Sequence, residues 1–238
     1  MIKRHALIRK LSSVETLGSA TVICSDKTGT LTQNEMTVTR LWADNQFVHV
    51  TGTGYAPNGE FQIDGAKVDV KKYPAILSTL WLGLINNVST IETTGENESQ
   101  PTYRIIGDPT EGSLLVAAAK AGAIHIDIDE AYPRENEVPF DSERKRMITI
   151  HDVTDPRAED LSPFHDEKHK GWDVIAVKGA PDIVLDLCTQ YQGMDDKPQS
   201  MTKEARESIL AANDAMTKDA LRVLGLAYRL DKDVPNDP

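Results

Sequence analysis

The sequence is short of cysteine, of aromatic residues, of long apolar runs and of positive charge. Two cysteines in 238 residues supply no disulfide framework, and the apolar surroundings of Cys24 and Cys188 make buried thiols their ordinary reading. Aromatic residues make up 5% and all hydrophobic residues 39%, a lean content that at this length still buries a sizeable core. The longest uninterrupted apolar run, Leu114–Ala119, falls far short of a bilayer span. The basic start MIKRHALIRKLSS lacks the apolar stretch of a signal peptide. Lys and Arg number 26 against 37 Asp and Glu, for a net charge of −11. That balance leaves no electrostatic footprint for nucleic acid and opposes anionic membrane surfaces. Neither GxxxxGK[ST] nor GxGxxG occurs, so the familiar phosphate cradles are missing. These absences point away from a secreted, membrane-spanning or nucleic-acid-binding chain and toward a soluble one in a reducing, cytosolic setting.

What is present reads as mixed α and β with antiparallel hairpins. SATVIC, residues 19–24, is a short β-branched run expected to form a buried strand ending at Ser25–Asp26. VTRLWA and QFVHV are strands divided by an Asp44–Asn45 turn. Residues 73–87 carry apolar side chains at helical spacing along one face. Residues 90–100 are polar and read as an exposed loop. A helix begins at Asp108–Pro109, with Asp as cap, Pro at the first position and Gly122 as its end. Strands follow near Val138–Phe140, Met147–His151 and Trp172–Val177, with residues 152–170 as a charged loop. Helices at Pro181–Cys188 and Thr202–Ala215 and a strand at Arg222–Tyr228 complete the pattern.

The chemistry concentrates in Asp26-Lys27-Thr28-Gly29-Thr30-Leu31-Thr32. A carboxylate at the C-terminal end of a buried strand sits where open α/β sheets place ligands. Gly29 permits a tight turn that brings N–H groups toward an anion. Three threonines and Lys27 add donors. This set suits an aspartate that attacks a phosphoryl group and becomes an acyl phosphate, with Mg²⁺ held by hard oxygens. A solvated Thr-rich turn is the plainer alternative for a bare D-x-T-G-x. His165 and His169 stand four apart, but in a charged loop and without the glutamate of a zinc helix.

ICSDKTGTLTQNEMTV resembles the phosphorylation-site signature of P-type ATPases, the cation pumps that cycle through an aspartyl phosphate. RKLSSVETLGS resembles the segment leading into that site. GDPTEGSLL, FDSERKRM, KGAPDIVLDLC and LRVLGLAYR resemble, in order, motifs of the family's nucleotide-binding domain. The likeness covers essentially the whole chain and sits nearest the calcium and sodium/potassium branch. It implies an α+β fold, a mixed, largely antiparallel sheet flanked by helices, preceded by one strand of an incomplete Rossmann-like phosphorylation domain. The implied division is residues 1–35 for that phosphorylation-domain part, 36–230 for the nucleotide-binding domain and 231–238 for a hinge.

The resemblance also implies roles. Asp26 is the phosphorylated nucleophile, and Asp26 with the Thr28 carbonyl holds Mg²⁺. Related haloacid-dehalogenase phosphatases commonly carry a second Asp at the position of Thr28, as general acid/base. Lacking it, the acyl phosphate hydrolyses slowly enough to couple to transport. Glu111 contacts the adenine amino group, although Asp108-Pro109-Thr110-Glu111 is also a capping box. Phe140 stacks on the adenine, where the plainer reading is a core aromatic. Lys145 and Lys178 line the pocket, Lys145 from what could equally be a solvated turn. Gly179 lets the ligand approach, Met147 packs near the base, and Arg222 reaches the phosphates from the last strand or else makes a surface ion pair.

A complete pump adds transmembrane helices, an actuator domain and the rest of the phosphorylation domain with its GDGxND segment, none of which this sequence contains. The expectation is therefore an ATP-binding cytoplasmic piece of a cation-transporting membrane protein, partnered in the parent by those domains. Such a piece binds ATP without turning it over, and leaves its first strand without neighbours. A free-standing phosphatase of the haloacid-dehalogenase type, or a nucleotide-binding module without catalysis, is the alternative.

Overall fold

In the computed structural model, residues 18–94, 101–123, 128–155, 161–164, 167–232 and 234 are described. The chain divides into two units, Met1–Glu35 and Met36–Pro238.

In the first unit residues 20–26 run without strand pairing. Val22 is 76% and Ile23 87% exposed, and Cys24 is exposed as well. The expected buried strand and buried Cys24 thiol are therefore not formed. A strand is stable only where its N–H and C=O groups meet neighbours, and no described residue pairs with this segment. Lys27–Leu31 forms one wide helical turn. It closes through the Thr32 N–H, which donates to the Lys27 carbonyl at 3.1 Å, and opens on Gly29 at φ +72°.

The second unit holds two antiparallel four-stranded sheets. β1 (Arg40–Ala43), β2 (Gln46–Val50), β3 (Phe61–Ile63) and β4 (Ala66–Val68) follow one another as a meander. Asp44 and Asn45 take φ +44° and +61°, the left-handed pair of a tight hairpin turn. Helix α1 (Pro74–Ile85) packs Ile76 and Leu80 into this sheet's core with Val48, Val50 and Phe61. The same helix sends Trp81, Leu82 and Ile85 into a second core. Rather than one apolar face it carries two, which is why its apolar residues run almost continuously around it.

Residues 90–94, expected in a loop, form β5 (Thr90–Thr94), paired with β6 (Thr102–Ile106). Their threonines hide the alternation because a β-branched polar residue suits a half-exposed strand. Helix α2 (Pro109–Lys120) follows, then the short α3 (Ile128–Ala131). β7 (Arg134–Asp141), β8 (Arg146–Asp152) and β9 (Asp173–Gly179) come next. Beyond them lie α4 (Pro181–Asp186), the hairpin β10 (Gln190–Gln192) and β11 (Pro198–Ser200), α5 (Lys203–Lys218) and β12 (Gly225–Asp231). The second sheet has the order β12-β9-β8-β7, all antiparallel. The last strand starts three residues later than expected, so Arg222 precedes it.

The second core joins Trp81, Tyr132, Val153, Leu161, Phe164, Val174 and Ala176. Trp81 meets Tyr132 and Phe164 edge-on at 5.1 and 5.3 Å between ring centres. Leu161 and Phe164 therefore make part of the expected charged loop a buried plug. His165 lies outside the described residues, and among those described no three acidic, His or Cys side chains gather as a metal site. Nor is any described helix long and apolar enough to cross a membrane.

Candidate functional site

The turn end of the second sheet gathers most of the residues singled out above. Asp141 faces Arg146, Arg146 faces Gly179, and Gly179 faces Gly225 across the four strands. One row inward Met147 faces Lys178, which faces Leu226. Residues directly opposite one another share a face, so Met147 and Lys178 lie side by side on the buried one.

Lys178 is 6% and Glu111 9% exposed. The Lys178 ammonium donates to Glu111 Oε1 at 2.7 Å and to the Asn86 carbonyl at 2.6 Å. Burial pushes the Lys178 amine below the usual lysine range, and the Glu111 carboxylate opposes that shift. Glu111 Oε2 accepts the Val88 N–H at 3.0 Å. The residues after α1 explain this arrangement. A helix leaves its last carbonyls without partners and negative in character, so cations collect there. Lys178 takes Asn86, and Arg134 donates to the carbonyls of Ile85 at 3.3 Å and Asn87 at 2.5 Å.

Asp108 caps α2, its Oδ1 accepting the N–H groups of Thr110 at 2.7 Å and Glu111 at 3.3 Å. Burial acts to raise the Asp108 carboxyl, but the bonds from Thr110 and Glu111 and the nearby Arg222 outweigh it and hold it low. The cap half of the capping box is thus present. The Glu111 side chain, which would close the box, is spent instead on Lys178 and Val88, because a buried ammonium requires a carboxylate. Arg222, exposed, donates to Thr110 Oγ1 at 2.9 Å in the same first turn.

Phe140 is 63% exposed, not a core aromatic. It sits where the register of β7 against β8 slips between Val138 and Asp141, and such a bulge re-aims a side chain out of the pleat. Met147 is buried. Lys145 is exposed in the β7–β8 turn at φ +52°, and its carbonyl accepts the Ala180 N–H at 3.0 Å. Gly179 has a local reason to be glycine, since a Cβ there would lie 2.4 Å from the Lys145 carbonyl oxygen. Asp26, Lys27 and Thr28 lie in the other unit. The Asp26 carboxylate is exposed and caps no N–H of the turn that follows it.

Residues 78–237 match the family model described as P-type ATPase, cytoplasmic domain N. The chain belongs to the P-type ATPases. It is 38% identical over its full length to a probable cation-transporting ATPase F of Mycobacterium tuberculosis, of which it covers 24%. A calcium-transporting ATPase of Bacillus subtilis is 36% identical over 96% of the chain and 23% of the relative. A cation-transporting ATPase pma1 of Synechocystis is 39% identical with the same two shares, 96% and 23%. The chain thus spans about a quarter of the length of these P-type ATPase relatives.

Asn86, Asn87 and Arg134 were not legible as site residues. The one available signal was two adjacent asparagines at the end of an apolar helix, which reads as simple termination.

Proposed function

We propose that this chain is the ATP-binding and phosphate-accepting part of a cation-transporting P-type ATPase, with residues 1–35 belonging to the phosphorylation domain, 36–230 binding the nucleotide and 231–238 forming the hinge. The observation that carries the reading is the exposed ring of Phe140 beside the turn end that holds the buried Glu111–Lys178 pair, in a chain of this family. An exposed aromatic stabilises little in the free protein, whereas a stacked base covers it. The Glu111 carboxylate has about four acceptor positions, and Lys178 and Val88 occupy two of its oxygens' directions, so capacity remains for an adenine amino group. One Lys178 N–H is left over for a phosphate, and Met147 underlies the base. Lys145 and Arg222 add positive charge at the rim, Arg222 with a fork that suits phosphate oxygens.

In the parent, a carboxylate oxygen of Asp26 attacks the γ-phosphorus, the bond to the β-phosphate oxygen breaks, and ADP leaves. Water later cleaves the resulting acyl phosphate, returning the carboxylate and phosphate. Lys27 offsets charge on the incoming phosphates. An exposed carboxylate followed by the Thr28 carbonyl is the oxygen chemistry that Mg²⁺ takes, and these two groups would hold it. When bound, Mg²⁺ neutralises charge on the phosphoryl oxygens. Transport, and partnership with transmembrane, actuator and remaining phosphorylation domains, belong to the same proposal and place the parent in a membrane with this part in the cytoplasm.

The 238-residue chain binds ATP without steady hydrolysis, because catalysis requires a supporting shell and, among the described residues of its own unit, the exposed Asp26 carboxylate has none. Calorimetric titration tests the binding. ATP binds saturably, and Phe140→Ala weakens it at least about fivefold without loss of stability. Absence of saturable binding would contradict the reading, as would Mg²⁺-dependent turnover that Asp26→Asn abolishes.

A further inference from the structure

Glu111 is gripped at both ends by two consecutive residues, neither of which belongs to the set read from the motifs. Asn87, itself buried, donates through Nδ2 to the Glu111 carbonyl at 2.9 Å and to the Gly83 carbonyl at 3.0 Å. Its Oδ1 accepts the Ser89 N–H at 2.9 Å. One amide thus ties the last turn of α1, the first turn of α2 and the approach to β5. The next N–H, that of Val88, meets the Glu111 carboxylate at 3.0 Å. Main chain and carboxylate of Glu111 are therefore registered on the same dipeptide, and Lys178 fixes the remaining oxygen.

From this geometry we propose that Asn87 is a positioning residue that sets base selectivity, holding the Glu111 carboxylate where it accepts from an exocyclic amino group and rejects a carbonyl. The inference rests on the proposed placement of adenine at Glu111. Adenine presents an amino donor at its six-position, and hypoxanthine presents an oxygen there. A fixed carboxylate repels that oxygen, whereas a carboxylate free to swing away tolerates it. A polar site discriminates by leaving its groups unpaired against the wrong ligand, and only if it cannot relax. Without the Asn87 amide the α1–α2 junction loses the bonds to Gly83 and Glu111 and keeps the Ser89 Oγ bond to the Asp108 carbonyl and the Val88 bond to the carboxylate, so Val88 and Glu111 are freer to separate.

The test is titration of the 238-residue chain with ATP and with inosine triphosphate, for the unaltered protein, Asn87→Ala and Glu111→Gln. The unaltered chain prefers ATP, and Asn87→Ala lowers the preference about tenfold, by weakening ATP and by easing the rejection of inosine triphosphate. A merely structural role would lower thermal stability and leave the ratio unmoved in the folded variant. Asn87→Asp, equal in size and still able to accept from Ser89, is the second variant, and it lacks the donors for Gly83 and Glu111. Loss of preference in Glu111→Gln and in either Asn87 variant supports the proposal. Loss in Glu111→Gln with preference kept at Asn87 overturns it and leaves the nucleotide reading standing. Preference kept in Glu111→Gln overturns both. Failure of both Asn87 variants to fold makes the residue structural and overturns the proposal as well.

Discussion

The two units differ in how their chemically suggestive residues are held. Glu111 and Lys178 sit almost out of water, each with more than one partner. Asp26 stands at the end of an exposed run in which Val22 and Ile23 are largely open to solvent. Motifs of equal clarity in the sequence thus correspond to one prebuilt constellation and one that is not built. The difference lies in topology. The second sheet is antiparallel and its strands β7, β8 and β9 follow one another along the chain, so sequence neighbours supply their pairing. The segment before Asp26, which the resemblance makes one strand of a Rossmann-like domain, has no such neighbour to draw on among the described residues.

The sharpest way to break the contrast is to remove one member of the buried pair. Lys178→Met strands the Glu111 carboxylate and is expected to cost about 3–5 kcal/mol in urea unfolding. Adding Glu111→Leu restores part of that, since the buried charge is then gone. Gly179→Ala comes next. Its Cβ would meet the backbone of Lys145 and Arg146 at 2.4 and 2.8 Å, and the strain should lower stability by about 1–3 kcal/mol.

His151 sharpens the comparison through pH. Burial pushes its imidazole below the usual histidine range, against the Tyr132 carbonyl that it contacts at 3.0 Å. The unfolded chain therefore binds the proton more readily than the folded one. Stability falls as pH drops below the ordinary histidine value near 6.5, by at most about 1.4 kcal/mol per pH unit. The decline stops once the folded imidazole is also protonated. Urea melts of the unaltered chain and His151→Leu between neutral and mildly acid pH should differ by that slope. The smallest effect belongs to the first unit, where Val22→Ser should change stability by less than about 0.5 kcal/mol. Strong protection of the Val22 and Ile23 amides from hydrogen exchange would contradict the contrast.

Much of the second unit was legible because its signals are local. Asp108–Pro109 starts α2, Asp44–Asn45 turns a hairpin, and Met147 and Lys178 fall on alternating strands. Three features were not. The threonines of β5 conceal a strand, since periodicity tracks polarity and pairing does not depend on it. Phe140 is turned outward by a register slip that only the partner strand reveals. Asn87 acts through contacts 24 residues away at Glu111, a distance across which spacing carries no information. In the first unit β-branched composition marks SATVIC as a strand wherever a sheet exists to receive it, and the loss of neighbours expected from the resemblance is the reason Val22 and Ile23 stand exposed.

Amide chemical-shift mapping of the 238-residue chain titrated with ATP tests the central claim, that the proposed nucleotide site is prebuilt and the proposed phosphate-accepting segment is not. The account predicts saturable shifts centred on Glu111, Phe140, Met147, Lys178 and Gly179, with residues 20–32 unmoved. Shifts centred on Asp26–Thr32, or none that saturate, would contradict it.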